Sequence, residues 1–175
     1  MRRTTNRQLL IVLIAVVSFA NAAHANERIE LFSDEALTSH TLIDDAPRIV
    51  DVYVAHFGME IGTTGCAIKL VPSAGFTGVW LGDTSSYIVF GDSQAGITVL
   101  YNQQCFFGST VMFKARYQLF GTSTCSSLHT ASQYSALPYC DHCFSEYLLP
   151  SSSLSINCPL PTQPTTWGRV KALYR

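Results

Sequence analysis

The sequence predicts an all-β protein, a two-layer antiparallel β-sandwich supported by disulfides. Three observations carry this expectation. Arg48–His56 and Val111–Phe120 alternate apolar and polar residues with a period of two, which sets one face of each segment against a core and the other toward solvent. The remaining apolar runs are short and bounded by Gly, Asp or Ser, with no long helix-forming stretch between them, the pattern of antiparallel strands joined by tight turns. All six cysteines follow an N-terminal export signal, and an oxidising destination makes disulfides their expected fate.

The signal is Met1–Ala25. Arg2, Arg3 and Arg7 give a positive start, Leu9–Ala20 is an apolar run too short to span a bilayer, and Ala23-His24-Ala25 places small residues where signal peptidase reads them. The expected organisation is a signal at 1–25, one β-sandwich domain at 26–158, a Pro/Thr-rich linker at 159–166 and a basic, aromatic tail at 167–175. Losing three arginines from 11 basic residues leaves 8 against 12 acidic ones, so no basic patch exists for nucleic acid. No second apolar span follows the signal, so a soluble mature chain is expected, secreted, periplasmic or at the cell surface. No cofactor is expected.

The elements follow in order. Arg28–Phe32 is a first strand within the leading segment, whose acidic pairs Asp34-Glu35 and Asp44-Asp45 read as solvated turns. In Arg48–His56, Val50, Val52 and Val54 share one face and Asp51 takes the other. Thr64–Val71 repeats the pattern with Cys66, Ile68 and Leu70 facing in and Lys69 out, before the turn Pro72–Gly75. Short strands are expected at Gly78–Leu81, Tyr87–Phe90 and Ile97–Tyr101. In Val111–Phe120, Val111, Phe113, Ala115, Tyr117 and Leu119 alternate with Met112, Lys114, Arg116 and Gln118. From Gly121 to Cys143 the period is lost, and a long disulfide-held loop is expected. Phe144–Leu149 and Leu154–Asn157 are two last short strands around Pro150–Ser153, for eight or nine in all.

The strand order carries a resemblance. Val50-Asp-Val-Tyr-Val-Ala-His56 followed by Gly65-Cys-Ala-Ile-Lys-Leu-Val71 resembles the opening strands of cohesin-like β-sandwich modules. Gly91–Val99 with the following Cys105 resembles a block in exported bacterial proteins of the same plan. The similarity spans Ile49–Tyr117 and implies a cohesin-like or immunoglobulin-like sandwich. Cohesins bind a helical, calcium-loaded dockerin, but no residue of that interaction surface is identified, and the cysteine-rich loop departs from the cohesin pattern.

Two strings invite chemistry. Val89-Phe-Gly-Asp-Ser93 resembles the first block of the GDSL esterases, in which the serine is the nucleophile. That serine needs a strand-to-helix turn and a late histidine. Here Gly96–Leu100 continues as a strand, so Ser93 reads as a turn residue. Cys140-Asp141-His142-Cys143 has the spacing of a redox dithiol. Zinc is a further reading, with His129, Cys140, Cys143 and Cys158 as ligands. The compartment favours structural disulfides among Cys66, Cys105, Cys125, Cys140, Cys143 and Cys158. Cys105 with Cys125 is the preferred pair, because the one long strand between them returns the chain; Cys158 with Cys140 or Cys143 comes next. His40, His56 and His129 read as isolated surface or strand-end residues. Trp80, Tyr87, Tyr101 and Phe106-Phe107 could form a sugar-binding platform, but at strand spacing they read as core.

In the tail, Trp167, Val170 and Tyr174 recur at helical spacing with Leu173 beside them, and Lys171 falls on another face. This segment resembles the terminal Trp-Gly-x-Val-Lys-type segments of exported bacterial proteins and is expected to serve as a sorting or attachment element. Altogether the sequence favours an exported, non-enzymatic module for surface adhesion, assembly or binding, its partner another surface protein or a polysaccharide. The alternative is a thiol-redox or metal-binding protein using Cys140–Cys143.

Overall fold

The computed structural model describes residues 27–102, 105–143 and 146–159. The expected signal, most of the expected linker and the tail candidates Trp167, Val170, Lys171, Leu173 and Tyr174 lie outside the described residues. The described residues form strands β1 (Arg28–Phe32), β2 (Thr41–Leu42), β3 (Pro47–Pro72), β4 (Val79–Thr84), β5 (Ile88–Asp92), β6 (Gly96–Leu100), β7 (Phe106–Phe120), β8 (Ser126–Ala131), β9 (Tyr139–His142), β10 (Glu146–Leu148) and β11 (Ser153–Ile156).

The organising element is β3. The two segments expected as separate strands, Arg48–His56 and Thr64–Val71, are one bent strand of 26 residues. Its first half pairs antiparallel with β1 and β7, and β7 carries β4 on its other edge. Its second half pairs with β6 and β9, and its end, Lys69–Pro72, with β8. The change of partners falls where the register with β7 shifts, between His56 and Thr63. Gly58 and Gly62 there adopt φ of 73° and 77°, a left-handed conformation that glycine enters without a Cβ penalty. Strands β8, β11 and β2 complete the second layer, and β11 runs parallel to β2.

The core lies between the layers. Ile29, Leu31, Val52, Val54, Phe113, Ala115, Tyr117 and Leu119 meet Cys66, Ile68, Leu70, Val99, Leu128 and Ile156 in one buried cluster. The expected inward faces of both alternating segments are therefore observed, except that Val50 is half-buried and Val111 lies outside the cluster. Met112 departs from the pattern: alternation places it outside, and it is fully buried. It sits at a register shift, where Val54 pairs with Phe113 and Ala55 with Val111, so that Met112 is skipped and turns inward.

The expected Gly121–Cys143 loop instead contains β8 and β9. In β8 the inward positions are Ser126, Leu128 and Thr130, so two of three core-facing side chains are polar and no apolar alternation is visible. Thr130 tolerates burial because its Oγ1 accepts from the Ser152 N–H at 2.8 Å and its carbonyl accepts from Ser151 Oγ at 2.6 Å. In β9 the inward pair is Cys140 and His142. Asp44 is likewise buried rather than solvated. Its carboxylate accepts the Gly121 and Ser123 N–H groups at 2.6 and 3.0 Å, which closes the turn after β7. Asp34 behaves as expected of a turn residue, accepting from the Thr38 and Ser39 N–H groups.

The disulfides are Cys66–Cys140, Cys105–Cys143 and Cys125–Cys158. Both preferred pairings are corrected. Cys105 and Cys125 flank the 15 residues of β7, and a strand of that length carries its ends roughly 50 Å apart, far beyond bridging distance. Cys158 joins Cys125, not Cys140 or Cys143, because β11 runs beside β8 and brings its end back to the start of that strand.

Candidate interaction face

One side of the second layer carries two cross-strand rows that point away from the core, exposed at their ends and covered at Gly65 and Ala67 in the middle. The first runs Ile88, Leu100, Gly65, Asp141, Glu146 across β5, β6, β3, β9 and β10. The second runs Phe90, Thr98, Ala67, Tyr139, Leu148 across the same strands. Between them runs Val89, Val99, Cys66, Cys140, Tyr147, whose middle three residues point into the core. The period of two in β3 thus puts Cys66 inward and its neighbours Gly65 and Ala67 outward.

Because those two outward residues are the smallest available, the centre of the face sinks into a groove of about 260 Å³, flanked by Thr98 and Leu100 on one side and Tyr134, Tyr139 and Asp141 on the other. Large apolar side chains stand exposed around it: Ile88, Phe90 (61%), Leu100, Leu148 and Tyr134 (77%). Exposed apolar side chains gathered around a groove are the pattern of an interaction surface. The position of Gly65 is enforced, since a Cβ there would lie 2.5 Å from the Val99 carbonyl oxygen and 2.9 Å from Leu100 Cδ2.

Beneath the face lies a buried polar cluster. His56 comes from β3, His142 from β9 and Glu27 from just before β1, and all three are buried. Glu27 Oε1 accepts from His56 Nε2 at 2.9 Å and from His142 Nε2 at 2.8 Å, with Thr63 Oγ1 at 3.3 Å. A carboxylate oxygen can only accept, so both Nε2 atoms carry protons. In neutral His56 this leaves Nδ1 as the acceptor for the Tyr101 hydroxyl at 2.8 Å. Burial works to raise the Glu27 pKa, but the hydrogen bonds and charge from His56 and His142 outweigh it and hold the carboxyl below its ordinary value. Burial, with Tyr87 and Glu27 adding to it, pushes the Tyr101 phenol well above its usual range. His56, expected at a surface or strand end, is a core residue, on the same inward face as Val52 and Val54. A polar residue on the inward face of Val50–His56 is the signal in the sequence that points to it.

The other sequence candidates are dispersed. Ser93 lies in the turn between β5 and β6, as expected, and its Oγ donates to Asp83 Oδ1 at 2.8 Å. No histidine among the described residues bonds to it. Cys140 and Cys143 belong to different disulfides, so the Cys-x-x-Cys pair is not a dithiol couple. The zinc set His129, Cys140, Cys143 and Cys158 is not assembled either, because its three cysteines sit in three separate bridges. His40 is exposed, as expected, with Nδ1 2.8 Å from the Leu31 carbonyl. Of the aromatic candidates, Tyr101 is core, stacked on Phe106 with ring centroids 5.3 Å apart, and Tyr87 and Trp80 pack against the core. Phe107 departs from the expectation, at 60% exposed.

No protein-family model matches the sequence, and no curated protein matches it. Solved structures do. A cohesin module from a Clostridium perfringens family 33 glycoside hydrolase is 10% identical, covering 75% of this chain and 97% of its own, with a TM-score of 0.56. A chain of a CaDoc0917–CaCohA2 complex is 8% identical, covering 74% of this chain and 99% of its own, with a TM-score of 0.50. At such identity the likeness speaks to the fold. The fold of this chain is a cohesin-like β-sandwich.

Proposed function

We propose that this chain is an exported, non-enzymatic binding module that docks a protein partner on the face formed by β5, β6, β3, β9 and β10. The observation that carries this reading is the groove over Gly65 and Ala67, framed by exposed apolar side chains on a rigid sheet. A grooved apolar face with acidic Asp141 and Glu146 at one margin suits a partner surface offering apolar side chains ringed by basic ones. The candidate nucleophiles point away from catalysis: Ser93 is tied to Asp83 and the cysteines are in bridges. One structure that shares the fold was solved as a CaDoc0917–CaCohA2 complex, which favours a protein partner. Export follows from the Met1–Ala25 signal, and the Trp167–Arg175 tail is proposed as the sorting element.

The test is site-specific photo-crosslinking in the producing cell, followed by fractionation. A photoreactive residue at Phe90 or Tyr139 should yield a discrete protein adduct in the exported fraction. The same residue at Gln118, on the other layer, should not. Equal adducts from both layers, none from either, or retention of the chain in the cytoplasm would sink the proposal.

A further inference from the structure

The inner row beneath the groove brings together a set of soft ligands. His56 Nδ1 lies 3.7 Å from Cys66 Sγ, and His56, Cys66 and Cys140 all place a ligand atom within 4.8 Å of one another. Each is buried. The rest of the arrangement is also that of a metal site. His56 donates a hydrogen bond from Nε2–H to the Glu27 carboxylate, and a carboxylate on the far nitrogen is what orients a metal-bound imidazole and raises its basicity. The other nitrogen, Nδ1, is the one 3.7 Å from Cys66 Sγ, and in the oxidised protein its lone pair accepts from the Tyr101 hydroxyl. In that state the Cys66 and Cys140 sulfurs bond to each other and are spent as ligands.

We propose that opening the Cys66–Cys140 disulfide turns this cluster into a Cys₂His site for a thiophilic divalent cation, with Zn²⁺ the natural occupant. A dithiol reductant supplies two electrons and two protons and leaves as its own disulfide, and Cys66 and Cys140 become thiols. Zn²⁺ then displaces both thiol protons to solvent and takes two thiolates and His56 Nδ1. The Tyr101 hydroxyl, 2.8 Å from the same nitrogen, gives up its hydrogen bond to it as the ion enters. Two thiolates and one imidazole match the ligand preference of zinc. The ion would hold β3 to β9 as the disulfide does, so metal binding and folding of the reduced chain are coupled. This ligand set shares only Cys140 with the one the sequence suggested, and it does not depend on the docking face.

The purified full chain is reduced anaerobically with a phosphine, which is converted to its oxide, and titrated with Co²⁺ as a spectroscopic stand-in. One Co²⁺ per chain should give tetrahedral d–d bands with thiolate charge transfer, and Zn²⁺ should abolish them by displacement. Zn²⁺ should also raise the melting temperature of the reduced chain. The oxidised protein should give no such bands. The double variant Cys66→Ala/Cys140→Ala and the variant His56→Ala should lose the one-equivalent spectrum, while Cys105→Ala/Cys143→Ala should retain it. Glu27→Gln should weaken binding about 10–100-fold. No tetrahedral spectrum in the reduced wild type, or one that persists unchanged in His56→Ala or in Cys66→Ala/Cys140→Ala, overturns the proposal.

Discussion

Glu27 and His142 are 115 residues apart in sequence and 2.8 Å apart in space, carboxylate oxygen to Nε2. The same oxygen accepts a hydrogen bond from the Nε2–H of His56. A residue at the leading edge of the domain therefore ties β3 and β9 together from inside, on the layer whose outer surface is the proposed docking face.

Glu27→Ala should be among the most destabilising single substitutions in the protein. It removes the acceptor of two buried N–H donors, and each such loss costs about 1–3 kcal/mol. A total of about 2–5 kcal/mol is expected in urea denaturation, with Glu27→Gln milder because its carbonyl still accepts. A loss below about 1 kcal/mol would mean that the cluster is solvated rather than closed.

Acid should undo the same network. Glu27, Asp44 and Asp51 all titrate below their ordinary values in the folded chain. For Glu27 and Asp44 burial opposes the shift, and hydrogen bonds from the two histidines, or from Ser123 and Gly121, prevail. For Asp51 the Arg116 guanidinium leads, at 2.7 Å. A depressed carboxylate stabilises the fold above its unfolded pKa, and that contribution is lost as pH falls through the folded value. The melting temperature should accordingly decline as pH drops below the ordinary values of 4.5 for Glu27 and 3.8 for the aspartates. Glu27→Gln should flatten the part of that decline nearest 4.5. The exposed Asp51–Arg116 pair should contribute least.

The legible and illegible parts of the chain separate on physical grounds. Val52, Val54, Phe113 and Tyr117 can be placed inside because apolar alternation is a direct image of a half-buried strand. Strand β8 is hidden because Ser126 and Thr130 occupy inward positions, and their burial depends on hydrogen-bond partners that only the fold supplies. The joining of two expected strands into β3 depends on backbone bends at Gly58 and Gly62 that composition does not announce. The docking face is half legible: Gly65 and Ala67 alternate with Cys66, but the residues that frame them come from four other strands. Disulfide formation is legible in six cysteines that follow a signal-like segment, whereas the pairing follows from which strands lie side by side.

The groove yields a prediction that stability alone does not exhaust. Gly65→Val should be costly, because its Cβ would press on the Val99 carbonyl, which is backbone and cannot swing away. Overpacking of this kind costs about 1–3 kcal/mol, measurable by urea denaturation. Ala67→Leu fills the same groove from a buried position already carrying a Cβ, and should lower the midpoint less than Gly65→Val while abolishing the crosslink from Phe90. A crosslink that survives in folded Ala67→Leu would place the partner elsewhere on the surface.

The last prediction concerns the bridge between Cys125 and Cys158. It joins the residue before β8 to the residue that follows β11 and Asn157, across a separation of 33 residues. Chain entropy assigns a loop of that size about 3–4 kcal/mol. The neighbouring side chains reinforce the closure, because Asn157 Nδ2 donates to the Ser123 and Asp44 carbonyls at 2.7 and 2.9 Å. Cys125→Ala/Cys158→Ala should therefore lower stability by about 2–4 kcal/mol yet leave a folded sandwich, because β11 keeps its ladder to β8. A non-reducing peptide map of the wild type should recover Cys66 with Cys140, Cys105 with Cys143 and Cys125 with Cys158, and no peptide joining Cys140 to Cys143. Recovery of that last peptide in quantity would return the Cys-x-x-Cys couple to consideration and contradict the strand pairing that separates its two sulfurs.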